Sequence, residues 1–177
     1  MINITVISGG SRPTSSSLKS ADYFASFLNK EFENVSTKSY SPLDFNLPFD
    51  GAKDPNYSQI VEESDAFLII VPEYNHGYPG RLKTLLDSEY SNYKDKPVML
   101  VGWSSGGFGG VRGVENLIPV VRQLGLILTK TNLNVSNNST VFDENGSLID
   151  LTFESKLKEA ATELIRLTKL TRPDSDQ

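Results

Sequence analysis

The sequence predicts an α/β protein, a three-layer sandwich around a five-stranded parallel sheet, and three observations carry that reading. Short apolar runs alternate along the chain with amphipathic segments, as in repeated βαβ units whose helices cover both faces of a parallel sheet. The 177 residues suit one compact domain with a full hydrophobic core. Neither an internal repeat nor a low-complexity tract divides the chain. Residues 1–170 therefore read as one domain and 171–177 as a frayed C-terminal tail.

The elements follow in order. Ile2 to Ser8 is the first strand, and Ser17 to Phe32 places Leu18, Ala21, Ala25, Leu28 and Phe32 at helical spacing. Val35 to Tyr40 is a weak second strand. It leads into Pro42 to Pro55, which is rich in Pro, Asp and Asn and has no clear period. Tyr57 to Ser64 reads as a short helix, Asp65 to Val71 as a buried third strand, and Arg81 to Asp87 as the next helix. Lys94-Asp95-Lys96 forms an exposed turn into the fourth strand, Pro97 to Trp103. Gly110 to Leu124 is mostly helical, with Pro119 expected to kink it or to sit near an irregularity. Leu126 to Asn132 is the fifth strand. Asn137 to Ile149 is a polar insertion with room for a hairpin turning at Asn145-Gly146, and Leu151 to Leu170 is the last helix.

Composition excludes several classes of function. A net charge of -5 argues against nucleic acid or an anionic membrane as the main partner, while leaving room for a local basic pocket that takes a phosphate. The absence of cysteine rules out disulfides, thiol catalysis and thiolate metal sites, and with a single histidine it argues against zinc. The N-terminus reads as a strand and not a signal peptide, and no apolar run approaches bilayer length. A cytoplasmic protein is the expectation.

Three loops follow strands and so share the carboxyl rim of a parallel sheet, where open α/β folds place their ligands. Gly9-Gly10-Ser11-Arg12-Pro13-Thr14-Ser15-Ser16-Ser17 combines backbone N–H groups, hydroxyls, a helix N-terminus and a guanidinium, the parts of a phosphate cradle. It lacks the Gly-Lys-Ser/Thr of a Walker loop and the Gly-x-Gly-x-x-Gly dinucleotide fingerprint. The plainer alternative is that Ser15 or Ser17 only caps the helix while Arg12 is solvated. Pro72-Glu73-Tyr74-Asn75-His76-Gly77-Tyr78-Pro79-Gly80 is the second loop. A rigid connection explains its Pro and Gly residues but not its polar, aromatic centre. Trp103-Ser104-Ser105-Gly106-Gly107-Phe108-Gly109-Gly110, the third, offers bare backbone to a flat ligand, or is a flexible turn. Together the loops suit a ligand with a phosphate at one end and a planar heterocycle at the other. FMN is such a ligand.

Pro72-Glu73-Tyr74-Asn75-x-x-x-Pro79-Gly80-x-Leu82-Lys83-x-x-x-Asp87 and Gly106-Gly107-x-Gly109-Gly110-x-Arg112, followed by Leu117 and Leu124-Gly125, resemble the signatures of the NADPH-dependent FMN reductases. These flavodoxin-like proteins include bacterial quinone, chromate and azo-dye reductases. The resemblance implies a flavodoxin-like fold. It implies that Arg12, Ser15 and Ser17 hold the FMN phosphate, and that Pro72, Glu73, Tyr74 and Asn75, with His76 and Gly77 nearby, contact the ribityl chain and ring. It further implies that Ser104, Ser105, Gly106 and Gly107 approach the ring from the other loop. Gly10 stands where the family usually has Ser, with Ser11 as the neighbouring hydroxyl. Ser17 stands where the family often has Asn, and Ser88 where it commonly has Trp.

The activity implied is a ping-pong cycle in which NADPH or NADH reduces FMN and a quinone, flavin or similar small acceptor reoxidises it. An FMN-binding electron carrier or redox-sensing protein is the alternative. No side chain is assigned as catalytic. His76 is expected to be solvated and Trp103 to pack. Glu73 is a candidate to pair across a subunit interface, since the resemblance also implies a homodimer or tetramer.

Overall fold

The computed structural model describes residues 1–48 and 52–172. Strands β1 (Ile2–Ser8), β2 (Val35–Tyr40), β3 (Ala66–Pro72) and β4 (Pro97–Trp103) coincide with the expected strands to within a residue. So do helices α1 (Ser16–Glu31) and α5 (Leu151–Thr171). Helix α2 (Pro55–Glu63) begins two residues earlier than its apolar pattern, because the Asp54 carboxylate accepts from the Asn56 and Tyr57 N–H groups and Pro55 takes the first turn. Helices α3 (Gly80–Asp87) and α4 (Val111–Gln123) complete the set, and α4 runs through the exposed Pro119 as one element.

All strand pairs are parallel, and with β5 (Ile127–Leu128) at the edge their order, β2-β1-β3-β4-β5, is the flavodoxin-like order with its switch point between β1 and β3. Alternate side chains serve opposite faces. Ile4, Val6, Leu68, Ile70, Met99 and Val101 pack under α1 and α5. Ile7, Phe67, Ile69, Val71, Val98 and Leu100 pack under α2, α3 and α4. That division makes the three layers.

The expected fifth strand is corrected in one respect: it is broken. Ile127–Leu128 (β5) and Leu133–Val135 (β6) both pair with β4, and Leu128 faces Val98 while Leu133 faces Val101. The extra residues between them bulge off the sheet, and the Glu163 carboxylate of α5 accepts from the N–H groups of Lys130 and Thr131 in place of β4.

The polar insertion does hold a short hairpin, with Phe142 bridged to Leu148 and Gly146 left-handed at its turn. It lies on α1, where Lys19 Nζ donates to the Glu144 carbonyl. At the end of the chain Thr171 closes α5, and Arg172 donates to the Met1 carbonyl. Residues 173–177 of the expected frayed tail lie outside the described residues. Among the described residues no helix is long and apolar enough to cross a membrane.

Candidate functional site

The register of β1, β3 and β4 brings the three loops to one rim. Ser8 pairs with Ile70, and Pro72 with Trp103. Between the loops lies a cleft of about 350 Å³. The first loop contributes Arg12, Thr14, Ser15 and Ser16 to its wall, and the second contributes Pro72, Glu73 and Tyr74. Trp103, Ser104 and Ser105 come from the third, and Asn138 comes from the insertion.

In the first loop a chain of hydroxyls replaces the usual helix cap. Ser15 occupies the N-cap of α1, yet its side chain caps no backbone N–H and instead pairs with Ser17 Oγ at 2.9 Å. Ser8 Oγ donates to Ser17 Oγ and accepts from the Gly10 N–H, both at 3.3 Å. The first turn of α1 therefore reaches the cleft with N–H groups that no side chain caps, the arrangement that favours an anion. Gly10 makes room for this network, since a Cβ there would lie 2.5 Å from Ser15 Oγ and 2.7 Å from Ser17 Oγ. Arg12 crosses to the second loop, where its Nε donates to Tyr74 Oη at 3.1 Å and its guanidinium lies 4.7 Å from the centre of that ring.

The second loop is a tight turn. Tyr74 and Gly77 exchange both backbone hydrogen bonds, at 2.8 and 2.9 Å, around Asn75 (φ 49°) and His76 (φ 67°). Two left-handed residues between exchanged bonds make a type I′ turn. Helix α4 clamps it. Arg112 Nε donates to Glu73 Oε1 at 2.7 Å and its backbone N–H to Glu73 Oε2 at 3.3 Å. Arg112 Nη1 lies 2.8 Å from His76 Nε2, and Asn116 Nδ2 donates to the His76 carbonyl at 2.9 Å. Since a guanidinium only donates, His76 Nε2 accepts here and the ring proton sits on Nδ1.

One expectation is corrected by this clamp: Glu73 pairs with Arg112 of its own chain. His76 is exposed, as expected, and is also held by α4.

The third loop leans on the insertion. Ser104 N–H donates to the Val135 carbonyl, while the Asn137 and Asn138 N–H groups donate to the Gly106 and Ser104 carbonyls. At the base of α4, Gly110 adopts φ 78°, and a Cβ on it would stand 2.3 Å from the Trp103 nitrogen. Trp103 packs as expected against Phe24 and Phe142, and its Nε1 also donates to Ser16 Oγ at 2.9 Å.

Of the residues expected at the site, Arg12, Ser15, Pro72, Glu73, Tyr74, Ser104 and Ser105 line the cleft. Gly10 and Ser17 lie behind its wall, in the network that shapes it. Ser11, Asn75, His76, Gly77, Gly106 and Gly107 lie along the same loops but not on the wall. Thr14, Ser16, Trp103 and Asn138 line it without having been expected there. A donor-only indole at a strand end and a hydroxyl at a first helical position were the available signals for Trp103 and Ser16. Asn138 had none, because nothing local shows that the insertion folds back to the rim.

The model of one protein family, described as NADPH-dependent FMN reductase, matches residues 2–140. An NAD(P)H-dependent FMN reductase of Saccharomyces cerevisiae is 34% identical over 73 residues, 41% of this chain and 37% of that protein. A 2-hydroxy-1,4-benzoquinone reductase of a Burkholderia species is 28% identical over 99 residues, 52% of this chain and 54% of that protein. The chain thus spans about half or less of the length of these curated relatives. Among solved structures, the flavoenzyme NAD(P)H:(acceptor) oxidoreductase of Paracoccus denitrificans superposes with a TM-score of 0.79 at 20% identity, over 97% of this chain and 99% of that one. That likeness establishes the fold.

Proposed function

The chain belongs to the NADPH-dependent FMN reductase family, and from that premise we propose that it is an FMN-dependent NAD(P)H oxidoreductase delivering electrons to a quinone, flavin or similar small acceptor. One observation carries the reading. A single cleft at the carboxyl rim joins an uncapped helix N-terminus beside Arg12 to a rigid wall of backbone and aromatic groups. These residues fit FMN: Arg12, Thr14, Ser15 and Ser16 suit its phosphate, and Pro72, Tyr74, Ser104 and Ser105 suit its ribityl chain and ring.

Bound FMN supplies acceptance of a hydride from NAD(P)H and its onward delivery. The protein's part is to bind and orient. The third loop presents Ser104 and Ser105 to the cleft, where polar groups already held in place would stabilise negative charge on the reduced ring. The Arg112 clamp holds Tyr74 and its turn in one place. No side-chain acid or base is assigned.

The proposal includes a ping-pong cycle, a cytoplasmic setting, a domain over residues 1–170, and a homodimer or tetramer. Support for self-association comes from a largely apolar groove between α3 and α4, where Tyr90 is 59% exposed beside Pro119, Val120 and Leu124. Steady-state oxidation of NADPH by the FMN-loaded protein with a benzoquinone tests the function. Turnover with parallel double-reciprocal lines is expected, whereas bound flavin without turnover would replace the enzyme with an electron carrier.

A further inference from the structure

Three serines in a row open α1, and their hydroxyls do different things. Ser17 is fully buried and bonds to Ser8 and Ser15, so its hydroxyl serves the loop's own network. Ser15 lines the cleft but is paired with Ser17. Ser16 also lines the cleft, and its oxygen receives two donors: Trp103 Nε1 at 2.9 Å and Asn138 Nδ2 at 3.1 Å.

An indole N–H and a carboxamide NH₂ can only donate, and a serine hydroxyl has two lone pairs and one proton. With both lone pairs engaged, Ser16 has only its proton left to offer. Among the described residues it donates that proton to none. Accepting two hydrogen bonds also polarises the hydroxyl and strengthens it as a donor.

Both of its donors are fixed. The Trp103 ring is 3% exposed and packs 5.1 Å from the centre of Phe142. Asn138 is anchored by its backbone N–H, which donates to the Ser104 carbonyl at 3.2 Å. The hydroxyl therefore has a set role at the uncapped N-terminus of α1, beside Arg12, where an anion is favoured.

We propose that Ser16, made an obligate donor by Trp103 and Asn138, gives its proton to the phosphate of FMN and sets this chain's preference for FMN over the phosphate-free flavin. The proposal rests on the FMN reading above. It assigns the insertion a part in cofactor choice, because Asn138 reaches the phosphate end of the cleft only through the return of that segment to the rim.

Equilibrium titration of flavin fluorescence tests it, with FMN and riboflavin as the two probes and the wild type, Ser16→Ala and Asn138→Asp as the proteins. Ser16→Ala should weaken FMN about 10- to 100-fold, the range for a hydrogen bond to a charged group, and leave riboflavin within about twofold. Asn138→Asp offers Ser16 an acceptor and adds a negative charge, so it should weaken FMN at least as much while sparing riboflavin. Ser16 lies at the surface, and unchanged circular dichroism is expected in its variant. FMN affinity unaltered in Ser16→Ala would overturn the assignment and leave the FMN reading standing. An equal loss for FMN and riboflavin would also overturn it, by making Ser16 a structural residue. A wild type that binds neither flavin would remove the FMN reading and the proposal with it.

Discussion

Gly10 shows how much one missing side chain shapes this rim. The resemblance would place a serine there, yet a Cβ at that position meets the Ser15 and Ser17 hydroxyls at 2.5 and 2.7 Å. Gly10→Ser is thus expected to push that pair apart, at a cost of about 1–3 kcal/mol for overpacking. It should lower Tm and weaken FMN together, as calorimetry and flavin titration would show, and a tighter FMN complex would contradict the network described here. At this scale the sequence was partly legible. Arg12, Ser15 and Tyr74 could be found because a guanidinium, a hydroxyl at a helix start and an aromatic in a rigid loop each have a local signature. Ser16 was quoted in the loop but not singled out, since its role comes from Trp103 and Asn138, which are 87 and 122 residues away.

Among the elements, the turn after β3 depends most on a partner. Asn75 and His76 both occupy the left-handed region, which costs an ordinary residue about 1–2 kcal/mol. Helix α4 offsets that cost through Arg112 and Asn116. Replacing Arg112 with Met would strip a carboxylate that is only 6% exposed of its main partner. A loss of about 1–3 kcal/mol is expected, seen as a fall of several degrees in Tm together with weaker flavin binding. Arg112→Lys should recover only part of it, because an ammonium lacks the planar fork that reaches Glu73 and His76 at once. Wild-type stability in Arg112→Met would show that the turn stands alone. Periodicity located β1 to β4 and all five helices, since each buries a continuous apolar face. It missed the break between β5 and β6, because the feature that ends the pairing is Glu163 on α5, which has no signature in residues 126–135.

For the whole molecule, the parallel sheet and its three layers followed from the alternation of strands and helices and from chain length, and the flavodoxin-like arrangement from the resemblance. The irregular segment before α2 did not. Its described part is tied to the segment just past α3, in the same layer, by Lys53, which lies 3.0 Å from the buried Glu89 carboxylate. Burial by itself would raise the Glu89 carboxyl. The nearby Ser58 hydroxyl, the Tyr90 N–H at 2.8 Å and Lys53 outweigh it and bring the group from 4.5 down to about 2. Between those values the unfolded chain binds a proton that the folded chain does not. The stability that Glu89 contributes is therefore complete above pH 4.5 and is lost as pH falls through about 2. Glu89→Gln should have a lower Tm at neutral pH and a flatter fall of Tm across that acid window. A slope matching the wild type would show that other carboxylates set the acid limit.

The central claim is that this rim holds FMN where NAD(P)H can reduce it. The most direct measurement mixes the FMN-loaded protein with NADPH in the absence of oxygen and follows the yellow flavin absorbance. Bleaching within seconds, reversed by adding a quinone, is the expected result. Bound flavin that stays oxidised under excess NADPH and NADH would contradict it.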